Sequence, residues 1–217
     1  MNAEVNLQIQ DPDRVTAARS QVYKILSDIF SYPADAQHEA FVSSGAVVAL
    51  REAIAELPFA IPASESLEQL DAEVELNLIY TRLFDSCTGQ PALSLYEKDY
   101  SRNDTKQIWE ELIRFYEHFG LNYNLEQCKE WPDHISTQLE FLHYLTFLEA
   151  GSPSHLTGTY IAAEGDFLDR HLAKWAPQFS QKMAGISQNT PYGYFTQVLE
   201  EFVKGEQEFV QRQREDQ

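Results

Sequence analysis

The segment Trp131–Ile135, which reads WPDHI, holds the side chains of this chain that are best suited to chemistry. Pro132 presets the backbone for the start of a helix, and the Asp133 carboxylate can accept hydrogen bonds from free N–H groups of the first turn. His134 then lies in that turn, beside a carboxylate. Two interpretations follow: Asp133 caps a helix and orients a surface histidine, or the pair belongs to a binding site.

A second candidate is the segment 86–103, which contains glycine, proline, serine and asparagine but has no helical period. Long loops of this kind are uncommon in compact domains and often carry function. The segment adds two carboxylates, those of Glu97 and Asp99, to that of Asp133. We expect 86–103 and 121–134 to lie together on one face, although a helix separates them in sequence.

An enzymatic alternative rests on Glu140 and His143, which stand at the i, i+3 spacing of carboxylate-bridged di-iron bundles. Such a site needs a second Glu-x-x-His and two further glutamates, and the chain has no second copy of the motif. Neither phosphate-binding glycine motif is present. Cys87 and Cys128 are too few for a disulfide framework or a zinc site, although one disulfide between them stays open. We therefore predict no catalytic residue, no cofactor and no metal.

The charge of the chain limits its partners. It has 34 acidic and 16 basic residues, which gives a net charge of -18. Such a charge disfavours nucleic acid and anionic membranes, and it suits either a basic partner or solubility alone. The N-terminus lacks the basic start and apolar core of a secretion signal, and no apolar run reaches the length of a transmembrane helix. We expect a cytoplasmic protein without stable membrane insertion and without a nucleic-acid partner.

The hydrophobic pattern is helical almost throughout, and hydrophobic residues make up 43% of the chain. It predicts an all-α, single-domain bundle of about seven to nine helices with one long loop. The domain spans 13–211, between flexible tails at 1–12 and 212–217, and 178–190 is partly irregular. The predicted helices lie at 13–31, 36–43, 46–56, 65–85, 104–119, 133–149, 158–175 and 191–211.

The two candidate segments together resemble those of the TorD/DmsD/NarJ family, which are cytoplasmic chaperones for molybdenum redox enzymes. Members typically carry an RLF…P…YES-Y segment and then an EPDHI…E-L-x-F segment. The corresponding parts of this chain are RLF at 82–84, Pro91, YEKDY at 96–100 and WPDHI followed by QLEF at 138–141. Parts of 19–33 and 167–175 also match, so the resemblance covers most of the chain.

Three positions depart from the family pattern. Trp131 replaces the usual glutamate before the proline, Gln138 replaces a frequent glutamate, and Lys98 stands where many members have serine. The form at 95–100 is most similar to the branch that serves type II enzymes of the dimethyl sulfoxide reductase family.

The resemblance implies an all-helical chaperone without catalysis of its own. It would bind the catalytic subunit of a molybdenum enzyme, its twin-arginine signal peptide or both, assist cofactor insertion and delay export. Carboxylates would pair with the leader arginines, and exposed Leu93, Leu95 and Trp131 would contact its apolar part. A helical adaptor without leader preference is a further alternative, and the choice between monomer and dimer stays open. The predicted leader-binding residues are Leu83, Phe84, Pro91, Tyr96, Glu97, Asp99, Tyr100, Trp131, Asp133 and His134.

Overall fold

The fold was taken from a computed structural model that describes residues 13–32, 45–69, 76–85, 91–124, 130–187 and 190–216. Within these ranges the chain forms eight α-helices and two 3-10 helices, with no β-strand, so the predicted all-α class is confirmed. The α-helices are α1 (Arg14–Ile29), α2 (Ala46–Ala55), α3 (Leu76–Phe84), α4 (Thr105–His118), α5 (Ile135–Gly151), α6 (Ser154–Arg170), α7 (Leu172–Ser187) and α8 (Pro191–Glu215). The 3-10 helices span Pro62–Gln69 and Glu97–Asp99.

Helix α5 lies at the centre of the bundle. Its apolar residues are spread around the helix rather than confined to one stripe, and such a helix must be surrounded by others. It packs most extensively against α1 and also contacts α6. Phe141 contacts Phe115 of α4, and Gln138 reaches Trp175 of α7. The residue that begins α5 therefore lies where several helices can supply partners.

The ends of α4 are formed as the sequence predicts. The Asp104 side chain accepts a hydrogen bond from the Lys106 N–H at 2.9 Å, which caps the first turn. Gly120 has a φ of 80°, a left-handed conformation that suits glycine, and it ends the helix. Because α4 has 14 residues, its two ends, to which the two loops are joined, lie about 21 Å apart. The segment after α4 must return along the helix to meet the loop before it.

The region around α7 differs from the prediction. Instead of one helix at 158–175 and an irregular stretch, α6 and α7 meet at His171, and α7 continues through Pro177 to Ser187. Proline removes one helical N–H donor, but Trp175, Phe179 and Met183 recur every four residues and are all buried. Burial of this face outweighs the missing hydrogen bond. Helix α8 likewise continues past residue 211, to Glu215.

The predicted helix at 65–85 is also wrong at its start, because Pro62–Gln69 is a 3-10 helix. The described part of the α-helix begins at Leu76. The predicted helix at 36–43, the predicted tail at 1–12 and both cysteines lie outside the described residues. No helix in the described ranges is long and apolar enough to cross a membrane.

A buried ion cluster joins four of the helices around Arg19, whose side chain is 1% exposed. Its Nε donates to Glu206 of α8 at 2.9 Å, and its Nη1 donates to Glu149 of α5 at 2.9 Å. Its Nη2 donates to Glu164 of α6. The second carboxylate oxygen of Glu164 and the Tyr23 hydroxyl are buried without a hydrogen-bond partner. One cation therefore holds three carboxylates in the core.

Burial raises the pKa of Glu164, the Arg19 guanidinium lowers it, and the carboxylates of Glu149 and Glu206 raise it again. The net result is a pKa well above the ordinary value. Glu164 therefore keeps its proton to a higher pH than an exposed glutamate does.

Candidate functional site

The two candidate loops meet through their backbones, as the sequence predicted. The Glu97 N–H donates to the Asp133 carbonyl at 3.0 Å, and the Ile135 N–H donates to the Leu95 carbonyl at 2.9 Å. These two bonds form an isolated antiparallel bridge between Tyr96 and His134. We call the surface formed by 91–104 and 130–135 the loop junction.

Asp133 ties the loop junction to α4 and does not cap α5. Its side chain is fully buried. One carboxylate oxygen accepts from the Trp109 indole N–H at 2.7 Å, and the other accepts from the Lys98 N–H at 3.2 Å. Burial raises the pKa of Asp133, although these two hydrogen bonds lower it. The prediction that Asp133 caps the following helix was wrong, because its carboxylate points to the other loop and to α4.

The cap of α5 is His134 itself. Its Nδ1 accepts from the Ser136 N–H at 3.2 Å, and the Ser136 hydroxyl lies 2.7 Å from the same nitrogen. Burial lowers the pKa of His134 to about 3, so the ring is neutral at physiological pH. Because Nδ1 is the acceptor, the proton lies on Nε2, which is 3.9 Å from a carboxylate oxygen of Glu130.

Glu97 belongs to a buried hydrogen-bond chain below the loop junction. Its carboxylate accepts from the Gln138 amide at 2.7 Å and lies 3.1 Å from His171 Nδ1. The Gln138 amide oxygen in turn accepts from the Trp175 indole N–H at 3.1 Å. This chain gives a physical reason for glutamine at position 138, because an ionised glutamate could not donate to Glu97.

The ten predicted leader-binding residues therefore differ in how far a partner can reach them. Among them, Leu83, Glu97, Tyr100, Asp133 and His134 are buried, Phe84, Pro91 and Tyr96 are half-buried, and Asp99 and Trp131 are exposed. Leu93 and Leu95 are also buried, so the expectation of an exposed apolar contact holds for Trp131 alone of those three. Glu97 and Asp133 position the loops from inside.

The predicted site residues did not include Trp109, Gln138 or Trp175, although Gln138 stands out as a departure from the family pattern. Trp109 stacks on Trp131 with ring centroids 4.5 Å apart and an interplanar angle of 12°. The Trp175 indole N–H donates to Gln138, which in turn donates to Glu97. The chain has three tryptophans, and all three lie here. Their rarity was a signal that could have linked α4 and α7 to the two loops.

The residues of the metalloenzyme alternative have other partners. The Lys24 ammonium lies 3.6 Å from Glu140, and His143 Nδ1 lies 2.9 Å from the Ser20 hydroxyl. Among the described residues, no group of three or more His, Cys, Asp or Glu side chains is arranged to hold a metal ion. The geometry therefore gives the di-iron interpretation no support.

Residues 45–181, which include both loops, match the family of nitrate reductase delta subunits. The chain belongs to this family. It is 35% identical to the chlorate reductase assembly chaperone protein of Ideonella dechloratans over 140 residues, which cover 63% of this chain and 68% of that relative. It is 29% identical to the selenate reductase assembly chaperone protein of Thauera selenatis over 204 residues, which cover 92% and 91% of the two chains.

Membership of the nitrate reductase delta subunit family confirms the family predicted from the motifs. The fold is also similar to that of a crystal structure from Archaeoglobus fulgidus, described as a redox enzyme maturation protein. The TM-score is 0.54 at 23% identity, and the match covers 93% of this chain and 99% of the other. This likeness supports the arrangement of helices around α5.

Proposed function

We propose that this protein is a cytoplasmic assembly chaperone for the catalytic subunit of a molybdenum-containing reductase. In this proposal it binds the twin-arginine leader of that subunit at the loop junction and holds the subunit back from export until its cofactor is inserted. Two relatives of this chain are named reductase assembly chaperones, and a chaperone needs no catalytic centre of its own.

The observation that carries the binding site is the bridge between Tyr96 and His134. It joins two segments that leave α4 about 21 Å apart, and buried Asp133 and Glu97 hold it from below. Such an arrangement fixes a loop surface rigidly, which lowers the entropy cost of binding a flexible peptide. Exposed Asp99 and Trp131 supply a negative charge and an apolar ring for a leader with arginines and an apolar run.

The proposal is tested by capture of the client and titration with its leader. The full chain is used to capture the large polypeptide that co-purifies from the native cell, and about forty N-terminal residues of that polypeptide are sequenced, a length that contains a signal peptide. A synthetic peptide of that leader is then titrated against the chaperone. We expect binding that weakens when both arginines are replaced by glutamine.

Asp99→Asn should lower leader affinity by about two- to five-fold, because it removes one exposed charge. Glu52→Gln on α2, which removes an exposed carboxylate away from the loop junction, serves as the matched control and should leave affinity unchanged. If the protein binds the leader and its glutamine version equally well, it is a helical adaptor without leader preference.

A further inference from the structure

Trp131 is the exposed large apolar side chain of the loop junction, with 44% of its surface accessible. Leu93 and Leu95, in the opposite loop, are each 3% exposed. The chain therefore buries the aliphatic side chains of these loops and leaves an indole in water. A single exposed apolar side chain is common on protein surfaces, but this one lies at the loop junction, where the leader is proposed to bind.

The Trp131 ring is held in place by a fixed neighbour. The Trp109 ring lies nearly parallel to it at 4.5 Å, and the Trp109 N–H is bound to buried Asp133 at 2.7 Å. Trp109 therefore covers one face of the Trp131 ring and fixes its orientation. A partner that contacts the accessible part of Trp131 meets a ring that is already oriented. Such preorganisation lowers the entropy cost of stacking.

The surroundings of this ring favour a cation. The Lys98 ammonium lies 5.0 Å from the centre of the Tyr96 ring and 5.7 Å from that of Trp109, so neighbouring aromatic faces already hold a cation. Its like charge opposes a guanidinium, and the attraction must therefore come from the Trp131 ring and from carboxylates. Glu130, next to Trp131 in sequence, has 31% of its side chain exposed, and the whole chain carries a net charge of -18. Aromatic faces attract cations, and nearby carboxylates strengthen the field.

We propose that the accessible face of Trp131 stacks on a guanidinium group of the leader, so that Trp131 rather than a buried carboxylate recognises arginine. This inference rests on the proposed function, and it names the chemistry of the same site. Glu97 and Asp133 have internal partners and are no more than 4% exposed, so they are poor candidates for direct pairing with a peptide. A guanidinium is planar and weakly hydrated, which suits stacking on indole better than a lysine ammonium does.

The test compares wild-type protein with Trp131→Leu and Trp131→Phe, using the leader peptide of the captured client with its two arginines, with two lysines or with two glutamines. Trp131→Leu should weaken binding of the arginine peptide by about five- to thirty-fold. It should change binding of the glutamine peptide by less than about two-fold, and the lysine peptide should fall between them. Trp131→Phe keeps an aromatic face and should retain most of the preference for arginine.

Phe147→Leu is the matched control, because it removes another exposed ring, on α5, that lies outside the loop junction. It should leave the affinity of all three peptides unchanged, and thermal unfolding checks that each variant is folded. If Trp131→Leu weakens binding of the arginine peptide and of the glutamine peptide by the same factor, the inference is overturned and the proposed function still stands. Wild-type protein that does not distinguish the leader from its scrambled sequence overturns both.

Discussion

The first turn of α5 shows how one side chain combines a structural and an electrostatic role. His134 accepts from the Ser136 N–H as a helix cap, and it can do so only while its ring is neutral. Burial keeps it neutral by lowering its pKa to about 3. Protonation of His134 would therefore remove the cap of α5. The sequence predicts this residue in the first helical turn, whereas the structure places it at the cap position.

His134→Asn should flatten the pH dependence of stability between pH 5 and 7. The pKa of His134 is lower in the folded protein than in the unfolded chain, so the unfolded chain binds the extra proton and stability falls as pH drops below 6.5. This costs the wild type about 2 kcal/mol between pH 7 and pH 5. Asparagine caps without titrating. Urea unfolding of both proteins at the two pH values measures the difference, and parallel pH profiles would contradict the assignment.

Gln138→Glu should destabilise the protein at neutral pH by about 1 to 3 kcal/mol. Glu97 loses its hydrogen-bond donor, and a second negative charge is buried beside it at position 138. The introduced carboxyl is charged only at higher pH, so the loss should grow as pH rises and shrink near pH 4. Gln138→Met removes both hydrogen bonds without adding charge. Its loss of stability should change less with pH than that of Gln138→Glu, and the same pH dependence in both variants would argue against the buried hydrogen-bond chain.

At the residue scale, the sequence predicts which segments meet but not which atoms bind. The pattern WPDHI marks the start of a helix, yet Asp133 and His134 exchange the expected cap role. The reason is that Trp109, distant in sequence, competes for the aspartate. Partners of this kind are supplied by tertiary structure, and local spacing does not encode them.

At the scale of elements, Arg19 joins α1 to α5, α6 and α8. Arg19→Met should cost about 3 to 5 kcal/mol, because it leaves three acidic side chains, of which Glu164 and Glu206 are fully buried, without their cation. Glu164→Gln is the paired variant. The pKa of Glu164 is raised in the folded state, so the wild type loses stability as pH rises above about 4.5, and the variant should not. Denaturant unfolding from pH 4.5 to 8 checks both variants. If the free energy of unfolding changes with pH equally in the wild type and in Glu164→Gln, Glu164 does not hold a proton.

Helices were predicted well where an apolar face repeats without interruption, as in α1, α4 and α8. They were predicted poorly where a local rule conflicts with packing. Pro177 indicates a break, but the buried face of Trp175, Phe179 and Met183 keeps α7 helical. The junction of α6 and α7 at His171 was missed for the opposite reason, because the apolar pattern continues across it.

At the scale of the whole molecule, leader binding should depend on salt without being abolished by it. Pairs between exposed carboxylates and arginines are screened over about 8 Å at physiological ionic strength. Burial of the apolar part of the leader is not screened and contributes roughly 25 cal/mol per Å² before ordering costs. Titrations at several salt concentrations should give a slope that flattens when the leader arginines are replaced.

Replacement of leucines in the apolar part should instead lower affinity at every salt concentration. If the affinity for the intact catalytic subunit is unchanged by both sets of replacements, the protein binds the mature part of its client elsewhere. One concave surface to examine then is a groove of about 720 Å³ between α4 and α6, lined in part by Phe115, Phe119, Ala163 and Arg170.

The contact between Arg19 and Glu206 spans 187 positions of the chain, which has a consequence for biosynthesis. Translation proceeds from the N-terminus, so Arg19 leaves the ribosome long before Glu206 has been made. Until α8 is complete, the nascent protein lacks one carboxylate of the cluster and the buried Phe195, Leu199 and Phe202 that complete the core. The core around Arg19 is therefore completed only after α8 has been synthesised.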